Sequence, residues 1–154
     1  MATFNLSRYR ELLAKTDSST NKNKDLFDDP IFIELLSFES SVETQVFYNH
    51  KNSYFALIQK YLGETINPNV FRGQFIEMVN EDLKKSHKIL KNFEELSTFW
   101  IDLELDDFSS LFENIHETCL YAFEFEDQED AMPEDKFYDS IEKISLKMQK
   151  FLNQ

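Results

Sequence analysis

The sequence predicts an all-α protein: an antiparallel four-helix bundle with an N-terminal helical extension. Three observations carry this. Gly and Pro number only 2 and 3 in 154 residues, too few for an all-β chain, which needs turn residues roughly every 8–12 positions. Apolar residues make up 42% of the chain, more than a disordered chain carries. They recur at spacings of three and four, the period of one helix face. A chain of this length can bury about 70% of its unfolded surface in one core.

Taken in order, Arg8 to Lys15 reads as a short helix capped by Ser7, with Leu12 and Leu13 facing inward. Thr16 to Lys24 is rich in Ser, Thr, Asn and Lys and reads as a linker. Asp29-Pro30 marks a helix start, with Pro at the first helical position. Ile31, Leu35, Phe38 and Val42 then share a face, and Asn49 to Ser53 breaks the pattern. Phe55, Leu57, Ile58, Tyr61 and Leu62 form the next face, with Gly63 placed to cap it at positive φ.

Asn67-Pro68 restarts the chain. Phe71, Phe75, Met78, Val79, Leu83, Leu90, Phe93 and Leu96 follow a helical period. Gly73 inside that run marks a close helix crossing. Trp100, beside Phe99 and Ile101, reads as an anchor for the following connector, Leu103 to Asp107. Phe108, Leu111, Phe112, Ile115, Cys119, Ala122 and Phe123 form another stripe, followed by an acidic loop from Glu124 to Met132. Pro133-Glu134-Asp135 opens the last helix, with acids at its positive end. Phe137, Ile141, Ile144 and Met148 line its inner face. The domain boundary falls at 52/53: residues 1–52 are an extension with one or two short helices, and residues 53–154 are the bundle.

Charge is the most unusual property. There are 29 acidic and 16 basic residues, a formal net of −13. Between Asp102 and Asp135 stand 13 acids and no Lys or Arg. Such a field repels nucleic acid, which is bound through Lys and Arg, and repels an anionic membrane surface. It draws in basic proteins. The expected contact surface is Glu113, Glu117, Tyr121, Glu124, Glu126, Asp127, Glu129 and Asp130, where acids steer the encounter and aromatic side chains supply contact area.

Chemical motifs are missing. His50, His87 and His116 have no metal spacing, and His116 with Cys119 gives two ligands where a zinc site needs more. Cys119 is the only cysteine, which excludes an internal disulfide. Its place on an apolar stripe points to a buried structural thiol. Neither glycine sits in a phosphate-cradling loop, and the acids after Asp127 lack the glycine of a calcium loop. The expectation is therefore no enzyme, no cofactor and no metal, with a monomer or weak dimer as the working state. No run approaches the length of a membrane span, and the N-terminus has no signal-peptide pattern. That places the protein in the compartment of its synthesis. Phe, Tyr, Met, Ile, Asn and Lys total 60 residues against 13 for Gly, Ala, Arg and Pro. The skew suits AT-rich coding, in the cytoplasm of a low-GC bacterium or in a plastid stroma.

The residues from Tyr54 onward resemble the colicin D immunity protein family, small bacterial proteins that protect a cell from its own tRNA-cutting toxin. The likeness runs through Ala56-Leu57-Ile58-Gln59-Lys60-Tyr61-Leu62-Gly63-Glu64-Thr65-Ile66, similar to the family's opening helix and turn. It continues at Phe71-Arg72-Gly73-Gln74-Phe75-Ile76-Glu77-Met78, at Phe112-Glu113-Asn114-Ile115-His116-Glu117-Thr118-Cys119-Leu120-Tyr121 and at Pro133-Glu134-Asp135-Lys136-Phe137. The resemblance implies a four-helix antiparallel bundle whose acidic surface plugs the basic active site of a tRNase. It implies no cofactor. The rival expectation is a divergent helical bundle, organelle- or plasmid-encoded, that has lost its toxin partner.

Overall fold

A computed structural model describes residues 1–17, 28–122 and 132–153. Most of them are helical. The elements are β1 (Ala2–Thr3), α1 (Leu6–Asp17), α2 (Pro30–Asn49), α3 (Lys51–Leu62), α4 (Pro68–Lys91), α5 (Phe93–Ser97), β2 (Trp100–Ile101), α6 (Asp106–Tyr121) and α7 (Glu134–Met148), with a closing 3-10 turn at Gln149–Phe151. The chain clusters into two compact units that interleave in sequence. One comprises Met1–Val46 with Lys84–Leu103, the other Phe47–Leu83 with Glu104–Gln154. The 52/53 boundary drawn from the sequence does not coincide with this division, because residues 84–103 cluster with the N-terminal segment.

In the first unit, Asn5 rather than Ser7 caps α1: its Oδ1 accepts from the Arg8 N–H at 3.1 Å. The helix thus starts two residues earlier than the sequence suggested. Asp29 caps α2 as expected, its Oδ1 accepting from the Ile31 N–H at 3.0 Å. Leu35 and Val42 are buried with Tyr9, Leu12, Leu90 and Leu96, and Ile31 and Phe38 pack against them. Arg8 donates a two-pronged hydrogen bond to Glu34, at 2.8 and 2.7 Å.

The long helical run does not continue to Leu96. Asn92 ends α4 and caps α5, its side chain accepting from the Glu95 N–H. The signal was present as Asn-x-x-Glu, a capping box. An unexpected β pair joins Ala2 to Ile101 and Thr3 to Trp100. Trp100 is therefore not a side-chain anchor: it is 58% exposed. The backbone ladder ties Trp100 and Ile101 to the N-terminal strand, and Leu96 and Ile101 are buried in the first unit's core. Phe93 is also half-exposed, with Arg10 over its ring at 5.3 Å.

The second unit is built on rings. Tyr54, Phe71, Phe75, Phe108 and Phe137 are fully buried in one cluster with Ile58, Ile115, Cys119 and Ile141. Tyr54, not Phe55, faces this core. Asn67 caps α4 as expected, its Oδ1 accepting from the Val70 N–H at 2.9 Å. The end of α3 differs from expectation in an instructive way. Gly63 has φ −82°, and it is Glu64 that carries the positive φ, 59°. Thr65 N–H donates to the Lys60 carbonyl and Glu64 N–H to that of Tyr61. That pair of bonds is a Schellman motif, shifted one residue past the glycine. Among the described residues nothing beyond its own helix backbone and chain neighbours lies within 4 Å of where a Cβ on Gly73 would stand, so they show no close helix crossing there.

Two substitutions test this backbone reading by thermal denaturation. Gly73→Ala removes a helix-interior glycine with room to spare and should stabilise by about 1 kcal/mol. Glu64→Gly relieves a left-handed non-glycine residue and should gain up to about 1 kcal/mol.

Candidate functional site

Helix α6 presents two opposite faces because its sequence has a 3.6-residue period. Phe108, Phe112, Ile115 and Cys119 are buried. Glu113, Glu117 and Tyr121 are exposed at four-residue spacing on the other side, with Tyr121 63% exposed. The structure thus places three of the expected contact residues in one row. Glu124, Glu126, Asp127, Glu129 and Asp130 lie outside the described residues. The two residues that bracket that segment are bonded to each other, the Met132 N–H donating to the Ala122 carbonyl at 3.2 Å.

The charge belongs to one unit. The segments Phe47–Leu83 and Glu104–Gln154 hold 18 acidic and 7 basic side chains, against 11 and 9 in the other unit. So −11 of the net −13 lies with α6. The helix carries no Lys or Arg, and its negative dipole end leads straight into the acid-rich segment. Arg72 of α4 answers both problems. Its guanidinium donates from Nε to the Cys119 carbonyl and from Nη2 to that of Leu120 at 3.1 Å. Sequence reading quoted Arg72 only as part of a resemblance; its role needed the fold to bring residues 72 and 120 together.

Cys119 is a free, fully buried thiol, as expected. Burial pushes its pKa up to about 12, only partly opposed by Arg72, so the thiolate is scarce at neutral pH. His116 sits between Glu113 and Glu117 on α6, half-buried. Asp82 is a buried carboxylate that the sequence reading passed over. It accepts from the Tyr54 hydroxyl at 2.8 Å and lies 2.9 Å from His50 Nδ1. Asp82 falls on the buried stripe of α4, seven residues after Phe75, and an Asp at such a position was the signal. Among the described residues no group of three or more His, Cys, Asp or Glu could hold a metal ion, and no helix is long and apolar enough to cross a membrane.

Comparison with protein-family models, with curated proteins and with solved structures returns no match.

Arg72→Met should destabilise by about 1.5–3 kcal/mol in chemical denaturation, since it removes charged hydrogen bonds to carbonyls at a helix end. His116 offers a pH test. Burial lowers its pKa, with Glu117 and Glu113 opposing. The native imidazole thus binds its proton less readily than the unfolded one, and its share of stability is lost as pH falls below about 6.5. An NMR titration should place the His116 midpoint below the ordinary histidine value.

Proposed function

We propose that this chain is an immunity-like acidic binding module. It inhibits or binds a basic, tRNase- or nuclease-type protein by charge complementarity. The observation that carries the reading is the concentration of acids in the unit that contains α6, with Glu113, Glu117 and Tyr121 aligned on its exposed face. Acids in such a row steer association and set specificity more than they add affinity. Tyr121 supplies the rigid aromatic contact of an interface centre. The acids Glu124, Glu126, Asp127, Glu129 and Asp130 follow α6 directly in sequence.

In this reading α3, α4, α6 and α7 form an antiparallel four-helix bundle, the arrangement that the likeness to the colicin D immunity family implies. The module catalyses nothing and needs no cofactor, metal or membrane. It works in the compartment where it is made, as a monomer or weak dimer.

The test starts from a pull-down at low salt with high-salt elution, and each basic protein identified is then purified and its binding kinetics measured. Two double charge reversals, Glu113→Lys with Glu117→Lys and Glu126→Lys with Asp127→Lys, should each slow association at low salt by about tenfold. The difference should shrink as salt rises past the Debye screening range. Association rates that match the wild type at low salt would overturn the proposal.

A further inference from the structure

Helix α7 carries the countercharge that the rest of its unit lacks. Of the 7 basic side chains in that unit, Lys136, Lys143, Lys147 and Lys150 belong to α7 and its closing turn. Their spacings of seven, four and three put them in one row, and all of them are exposed. Lys150 shows which way the row faces. Its ammonium reaches Asp107, in the first turn of α6, at 2.9 Å. Tyr138 lies off the row, and its hydroxyl donates to the Leu62 carbonyl at the end of α3. The lysines therefore run along the α6 side of α7, and α6 packs against α7.

Two exposed rows of opposite charge thus stand on neighbouring helices: Glu113, Glu117 and Tyr121 on α6, the lysines on α7. Neither row is neutralised within the chain. Among the described residues Glu113 and Glu117 pair with no Lys or Arg, and Lys136, Lys143 and Lys147 pair with no carboxylate. Asp139 flanks the lysines and pairs with none of the three. Taken singly, either row is an ordinary solvated helix face; the pair of them is more selective. A purely basic partner would meet the acids and be repelled by the lysines, and a polyanion the reverse. An occupant that answers both rows must itself carry both signs side by side, and this chain presents such a surface.

The surface is its own complement. A twofold axis parallel to the two helices sets the acid row of one copy on the lysine row of the other, twice over, which is the isologous contact of a symmetric dimer. The spacing matches, since Glu113 to Glu117 and Lys143 to Lys147 each advance about 6 Å along a helix. Leu146, between Lys143 and Lys147 in the chain, is 60% exposed and Tyr121 63%; they supply the contact area that charge pairs lack. The unit's other acids oppose the approach of a like copy. Their field is screened beyond about 8 Å at physiological salt, while paired side chains meet inside that distance. We propose that the α6–α7 face docks on the same face of a second copy of this chain, Glu113 and Glu117 of one against Lys143 and Lys147 of the other. The dimer is a property of this chain alone. It bears on the binding-module reading only in its consequence: it covers the acid row, so self-association and capture of a basic partner exclude each other.

Sedimentation equilibrium of the full chain over a concentration series, at about 0.15 M salt, tests this. A reversible monomer–dimer equilibrium is expected. Lys143→Glu with Lys147→Glu should weaken it by at least about tenfold, and so should Glu113→Lys with Glu117→Lys, because each leaves like charges opposed. An equimolar mixture of these two variants should dimerise as the wild type does, since every contact between them is again acid against base. A chain that stays monomeric at every concentration, a variant that dimerises alone as wild type, or a mixture that fails to recover would overturn the proposal. The lysine variant also separates the two readings. It keeps the acid row intact, so it should lose the dimer and still associate with a basic partner at least as fast as the wild type.

Discussion

Phe112 is the ring on which the second unit turns. It stacks on Phe47 at 4.5 Å, meets the edge of Tyr54 at 4.8 Å, and lies 5.6 Å from Phe75 and 5.8 Å from Phe108. Aromatic pairs in these geometries add about 0.5–1.5 kcal/mol each beyond the area they bury. The packing also fixes rotation. With Phe112 inward, Glu113 and Glu117 must point outward, since side chains four apart share a helix face. The acidic row is thus a consequence of where the rings go.

That arrangement carries an electrostatic cost. A helix without a Lys or Arg ends on its own negative pole and runs into more acids. Arg72, from a helix distant in sequence, donates to the carbonyls of residues 119 and 120. A cation at that point satisfies hydrogen-bond acceptors that would otherwise be left to water. Where an ordinary helix would place Lys or Arg in its own last turn, this one keeps its outer face free of positive charge and takes the compensation from behind.

Local signals were readable wherever a side chain acts on its neighbours. Asp29-Pro30, Asn67-Pro68 and Pro133-Glu134 open helices as their chemistry requires, and the apolar periods of Leu35–Val42, Phe71–Val79 and Phe137–Met148 are buried. Readings failed where a residue's role depended on something far along the chain. Trp100 is large and apolar, yet the backbone pairing of Ala2 and Thr3 holds that segment instead. Gly63 looked like the left-handed cap, but the chain turns one residue later, at Glu64. Of the expected contact surface, Glu113, Glu117 and Tyr121 follow from helical spacing alone.

The sequence by itself determined the helical class, most helix starts, the buried stripes and the excess of acid, because capping, amphipathic period and charge are properties of neighbours within a few residues. Only the tertiary structure decided that Arg72 would reach the end of α6 and that Asp82 would hold Tyr54 and His50. Each of these joins residues separated by ten to fifty positions along the chain or more. No local rule fixes which distant groups meet; packing the rings of the core does.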